Sequence, residues 1–161
     1  MTTFTVVHVL ISLVGIGSGF VVLIGMLSGK RLDLSTALFL GTTVATSVTG
    51  FGLPAAHVLP SHIVGVLSLL VLALAIVARY RMRMAGRWRS VYVVSALVAL
   101  YFNVFVLIVQ SFLKVPVLKV LAPTQSEPPF LITQGVALIF FAAVTILAVL
   151  GFRDERLVEG R

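Results

Sequence analysis

The sequence predicts an all-α integral membrane protein, a single bundle of five transmembrane helices over residues 1–161. Three observations carry that expectation. First, 60% of the residues are hydrophobic and 11% are charged, with a mean hydropathy of +1.17. A soluble domain carries about 25% charged residues to wet its surface. A water-soluble fold, a disordered chain and a coiled coil are therefore excluded. Second, the apolar residues form continuous runs long enough to cross a hydrocarbon core of about 30 Å as helices. They do not alternate, as the strands of a membrane barrel would. Third, the charges are confined to short stretches between those runs.

Residues 4–28 form the first expected span, uninterrupted by charge. No Lys or Arg precedes it, so it lacks the basic start of a secretory signal and reads as a retained helix. Gly29, Lys30, Arg31 and Asp33 then make a turn. The second span, 35–53, is short and rich in threonine, and ends at Gly50, Gly52 and Pro54. Ser61 is placed to cap the third span, 61–78. A basic loop, 79–89, leads to the fourth span, 90–113. A longer loop with Pro116, Pro123, Pro128 and Pro129 precedes the fifth span, 130–152. The competing architecture has four spans, with 35–60 re-entrant or folded into one irregular element.

Charge sets the expected orientation. Cytoplasmic loops of membrane proteins collect Lys and Arg. Arg79, Arg81, Arg83, Arg87 and Arg89 place the 79–89 loop inside, at the anionic inner surface with Tyr80 and Trp88. Five passes then put ten of the twelve cations inside and only Lys114 and Lys119 outside. The N-terminus falls outside and the C-terminus in the cytoplasm. The expected location is a cell membrane, multi-pass, of the bacterial inner-membrane kind. The net charge of +7 is thus read as topology, not as nucleic-acid binding. The absence of cysteine removes disulfides, thiolate metal sites and a Cys nucleophile.

In that topology the three histidines share the outer end. His8 lies one turn inside the first span, His57 follows the second, and His62 begins the third. Neutral imidazoles bind Zn, Cu and haem iron. A transition metal, a single haem b and a quinone are all ligands such a group can take. The competing reading has His57 in solvent and His8 and His62 bonded between helices. Glu127 is the only outer acid, presented just before Pro128 and Pro129. It either completes the histidine site or marks a helix entry, with Ser126 or Glu127 capping and Phe130 at the interface.

The spans also carry polar residues. Asn103 and Gln110 lie on one face of the fourth, and Tyr101 is turned away from Asn103. Gln134 should match Gln110 in depth. In the second span Thr42, Thr46 and Thr49 form one stripe, and Thr43, Ser47 and Gly50 the next. Such stripes line a polar path or let helices approach closely. Gly15–Gly19 and Gly25–Gly29 both have the GxxxG spacing of packed membrane helices. No acid or base lies within an expected span, although ion pumps usually need one.

The stretches Tyr101-Phe102-Asn103-Val104-Phe105, Lys114-Val115-Pro116 and the 122–130 loop, with Gln110, resemble those of small uncharacterised bacterial multipass membrane proteins. The resemblance covers about the last third of the chain and implies no activity. Three functions stay open on the residues alone, beside a purely structural role as a partner in a larger complex. One is a binding or accessory protein with a site at His8, His57, His62 and Glu127. Another is a channel or facilitator for a small solute, lined by Thr46 and Asn103, in a homo-oligomer or larger complex. The last is a metal-dependent membrane enzyme.

Overall fold

The structure is a computed structural model that describes residues 3–52 and 60–152, the side chains of residues 60–62 excepted. Among the described residues it is helical, without strands. Helices α1 (Thr3–Leu27), α2 (Asp33–Gly50), α3 (Pro60–Ile76), α4 (Arg87–Lys114) and α6 (Pro128–Gly151) are long; α5 (Pro116–Leu121) is a short helix in what the sequence suggested was an irregular loop. α3 continues into a single π-helical turn, Val77–Arg81.

Local chemistry explains most boundaries. α1 ends in a Schellman turn: Gly29 takes φ +70°, its N–H donates to the Met26 carbonyl, and Lys30 N–H donates to Gly25. Gly29 is therefore a cap. Only Gly25 of that GxxxG pair packs, against Leu32. α2 starts two residues earlier than expected, at Asp33, whose carboxylate suits a helix N-terminus. α3 starts at Pro60, which puts Ser61 inside the first turn instead of before it. Prolines also open α5 and α6, where a missing N–H is harmless.

The long helices alternate in direction. Along the α1–α2 hairpin, His8 meets Thr49, Gly15 faces Thr42 and Thr43, Gly19 faces Phe39, and Gly25 faces Leu32. Between α2 and α3, Ser47 meets Ser68 and Asp33 meets Arg79. α4 runs parallel to α2, with Tyr92 against Thr36 and Asn103 against Thr43. α6 runs back along α4 from Phe112–Phe130, through Tyr101–Phe141, to Arg89 on the Phe152 carbonyl. Thr3 and Phe152 consequently lie at opposite ends of the bundle.

α1, the stretch Ile63–Arg81, α4 and α6 are each long and apolar enough to cross a membrane. α2 is not: its hydroxyl residues dilute its apolar character. The sequence already marked this span as short and threonine-rich. Its polarity is inverted relative to a helix in water. Thr36, Thr43 and Ser47 are buried, while Leu34, Leu38 and Val48 face outward, Leu34 being 85% exposed. In lipid, helices turn small hydroxyl residues toward one another in this way. The interior combines large side chains (Met26, Phe39, Leu72, Tyr92, Leu100) with fully buried Ala75, Ala78, Ala96 and Ala99, which let α3 and α4 approach closely.

Candidate functional sites at the two ends of the bundle

At the end where α1 begins, α2 finishes and α3 starts, His8 is half-buried between helices. Its Nδ1 lies 2.8 Å from the Thr49 hydroxyl oxygen. That hydroxyl also sits 2.7 Å from the Ala45 carbonyl, one turn back along α2. A hydroxyl has a single proton to give. Both contacts are satisfied together when Thr49 donates to Ala45 and His8 Nδ1–H donates to Thr49. Nε2 is then an acceptor. Gly50 leaves room beside the ring, a Cβ there standing 3.7 Å from His8 Cε1. The neighbouring helix ends meet through Phe4 against Gly52 and Phe51 against Gly65.

His57 lies outside the described residues. His62 falls in the first turn of α3, and its side chain is likewise outside them. Among the described residues no three or more His, Cys, Asp or Glu come together as a metal group.

Glu127 occupies the N-cap position of α6, yet makes no side-chain cap bond. Pro128 and Pro129 supply no N–H, so the carboxylate turns back on its own loop. One oxygen accepts from the Thr124 hydroxyl at 2.8 Å and the Thr124 amide at 3.2 Å; the other accepts from the Ser126 amide at 3.1 Å. Desolvation is the largest single influence and pushes the carboxyl up, but the hydrogen bonds from Thr124, Ser126 and its own backbone together outweigh it and hold the carboxyl below the ordinary carboxylate value. Behind it Phe130 is buried edge-on against Phe112.

The polar residues within the spans mostly staple helices. Asn103 donates to Thr43 at 3.1 Å, and Tyr101 points the other way, onto Phe141. Gln134 donates to the Phe105 carbonyl rather than joining Gln110, because the α4–α6 register sets it deeper than sequence depth suggested. Its Oε1 is buried with no partner, as is the Thr46 hydroxyl oxygen. Gln125 instead reaches α4, donating to Val109. Thr42 and Thr49 bond back to their own helix. Phe39 and Leu40, both buried, interrupt the hydroxyl row of α2. An apolar groove of about 350 Å³ lies between α4 and α6, lined by Leu97, Tyr101, Leu138, Phe141 and Thr145.

The opposite end holds a cluster that sequence reasoning missed. Arg79, assigned to the basic 79–89 loop at the membrane surface, is buried in the π-helical turn. Its guanidinium pairs with Asp33, lies over the Tyr92 ring at 5.0 Å and approaches Met84 Sδ at 3.8 Å. Tyr92 in turn donates to Thr36 at 3.4 Å. The missed signal is periodicity: Leu72, Ala75 and Arg79 share one helical face, and the first two are plainly core residues.

Comparison with protein-family models, curated proteins and solved structures gives no match.

Proposed function

We propose that the chain crosses a cell membrane five times, N-terminus outside, and is a non-catalytic binding or accessory protein that holds a transition metal, Zn or Cu, at its outer end through His8. The observation that carries this reading is the His8–Thr49 contact. An imidazole whose Nδ1–H is held by a neighbouring oxygen, with Nε2 left as acceptor, is oriented as metal-binding histidines are. His57 lies in the seven-residue connection 53–59, and His62 in the first turn of α3; the helix ends flanking that connection meet His8's neighbourhood. These positions support His57 and His62 as the other ligands. Glu127 is left out, since its carboxylate is taken up by its own loop.

The five passes are supported by the alternating helix directions and by charge. The end formed by the α1–α2 and α3–α4 connections carries Lys30, Arg31, Arg79, Arg81, Arg83, Arg87 and Arg89; the other carries Lys114 and Lys119. The bacterial inner membrane is the assignment that the resemblance of the last third of the chain suggests. A channel through the bundle is disfavoured by Phe39 and Leu40 across the hydroxyl row. Elemental analysis and an absorption spectrum of protein purified in mild detergent test the site. The expectation is roughly one equivalent of Zn or Cu, lost in His8→Ala with helicity unchanged. Protein free of Zn and Cu that shows a Soret band or a bound quinone would transfer the site to that ligand. Protein with none of the three would end the reading.

A further inference from the structure

The α3–α4 connection divides its arginines into two kinds. Arg79 and Arg89 are structural: one is buried on Asp33 and Tyr92, the other donates to the Phe152 carbonyl. Arg81, Arg83 and Arg87 are exposed, and none has a hydrogen-bond or ion-pair partner among the described residues. The acids among the described residues are Asp33 and Glu127. Asp33 is taken by Arg79, and Glu127 belongs to the opposite end. Among the described residues the exposed arginines therefore meet no carboxylate; Asp154, Glu155 and Glu159 lie outside those residues.

The patch is also held in shape. Met82 N–H donates to Val77 and Met84 N–H to Ala78, closing the π-helical turn. Arg83 and Met84 both take left-handed conformations, φ 52° and 57°, without being glycine. Met84 is buried with its sulfur against Arg79, which pins the chain and turns Arg83 outward. Arg87 and Arg89 sit in the first turn of α4, where the helix dipole disfavours cations and no acid offsets them. Helix stability thus gives no reason for arginine at 87. Tyr80 is exposed, and Trp88 is half-buried against the core. Aromatic residues at the end of apolar helices mark headgroup depth.

We propose that this connection is a binding site for the phosphate of an anionic phospholipid, with Arg81, Arg83 and Arg87 as its donors. Guanidinium groups match phosphate oxygens in a bidentate manner and remain charged at any working pH. The flanking α3 and α4 are apolar enough to cross a membrane, which brings the loop to the level of lipid phosphates. The site is independent of the histidine reading at the other end.

Trp88 is the sole tryptophan and a built-in reporter. The full chain is reconstituted in phosphatidylcholine vesicles containing a small, equal fraction of either brominated phosphatidylglycerol or brominated phosphatidylcholine. The expected result is stronger quenching by the anionic lipid, equivalent to enrichment of about fivefold or more, since each arginine near an anionic surface supplies a factor of that order. Arg83→Gln with Arg87→Gln should bring the two quenching curves together, and Arg83→Lys with Arg87→Lys should keep part of the difference. Equal quenching in the unaltered chain, or a preference that survives both Gln substitutions, would overturn the proposal. So would a Trp88 emission change of the same size on adding inorganic phosphate to vesicles lacking anionic lipid, which would make free phosphate the ligand.

Discussion

Arg79 and Asp33, 46 positions apart, form an ion pair that is buried on one side only: the arginine side chain is 4% exposed and the aspartate 83%. The pair joins the start of α2 to the end of α3. Its asymmetry means that Asp33 is largely hydrated, while Arg79 depends on Asp33, the Tyr92 ring and Met84 for compensation. Burial of a guanidinium is otherwise costly.

The two partners should therefore respond unequally. Arg79→Ala removes packing as well as charge and is expected to cost about 2–4 kcal/mol. Asp33→Asn keeps the shape and loses a solvent-screened attraction, about 1 kcal/mol. Thermal unfolding in detergent checks both. Equal losses would show that the ring and sulfur contacts contribute nothing.

Gly19 and Gly17 give a second contrast. A Cβ at Gly19 would stand 2.5 Å from Leu100 Cδ1 and 3.0 Å from the Phe39 ring, whereas nothing lies within 4 Å at Gly17. Gly19→Ala is expected to cost about 1–3 kcal/mol through overpacking. Gly17→Ala should be neutral or stabilising by up to about 1 kcal/mol. The melting temperatures of the two variants decide it, and a reversed order would contradict the α1 packing described here.

Asn103→Leu tests whether the deep amide is a staple or part of a path. Loss of its bond to Thr43 should lower stability by about 0.5–2 kcal/mol. Solute flux into liposomes should not change. A loss of flux without loss of stability would favour transport.

For Glu127, hydrogen bonding depresses the carboxyl below its ordinary value in the folded loop. A depressed value means that the stabilisation is present above the unfolded carboxyl value and is lost as pH falls through the folded one. Hydrogen-exchange protection of the Thr124 and Ser126 amides should fall below the ordinary carboxylate range. Glu127→Gln should remove that pH dependence. An identical profile in the variant would show that the carboxylate does not organise the loop.

Much of the bundle was legible in the sequence, because lipid leaves few alternatives to a continuous apolar helix. The Gly15–Gly19 packing, the Asn103 staple and the proline-led entry of α6 all follow from residue type and spacing. What was not legible depends on tertiary register. Gln134 meets Phe105 because α6 slides along α4 by packing, which depth counting cannot see. For Arg79 the spacing from Leu72 and Ala75 carried a signal that the following run of arginines masked, and the π-helical turn that seats it on Asp33 and Tyr92 forms only in the folded bundle. α5 was hidden among prolines that read as loop signals, though one of them opens it. At the end that holds His8 the sequence could name the imidazoles. The Thr49 contact that orients His8 appears only when α1 and α2 are paired.

The central claim is an odd number of crossings that leaves the histidine end outside. The chain has no cysteine, so single introduced thiols report cleanly. Thr3→Cys, Lys30→Cys, Gly52→Cys, Gly86→Cys and Lys119→Cys, each probed with a membrane-impermeant maleimide on intact cells, form the most direct test. Labelling from outside at 3, 52 and 119, and at 30 and 86 only after permeabilisation, is the predicted pattern. Labelling of 30 and 52 from the same side would mean that α2 does not cross, and would contradict the account.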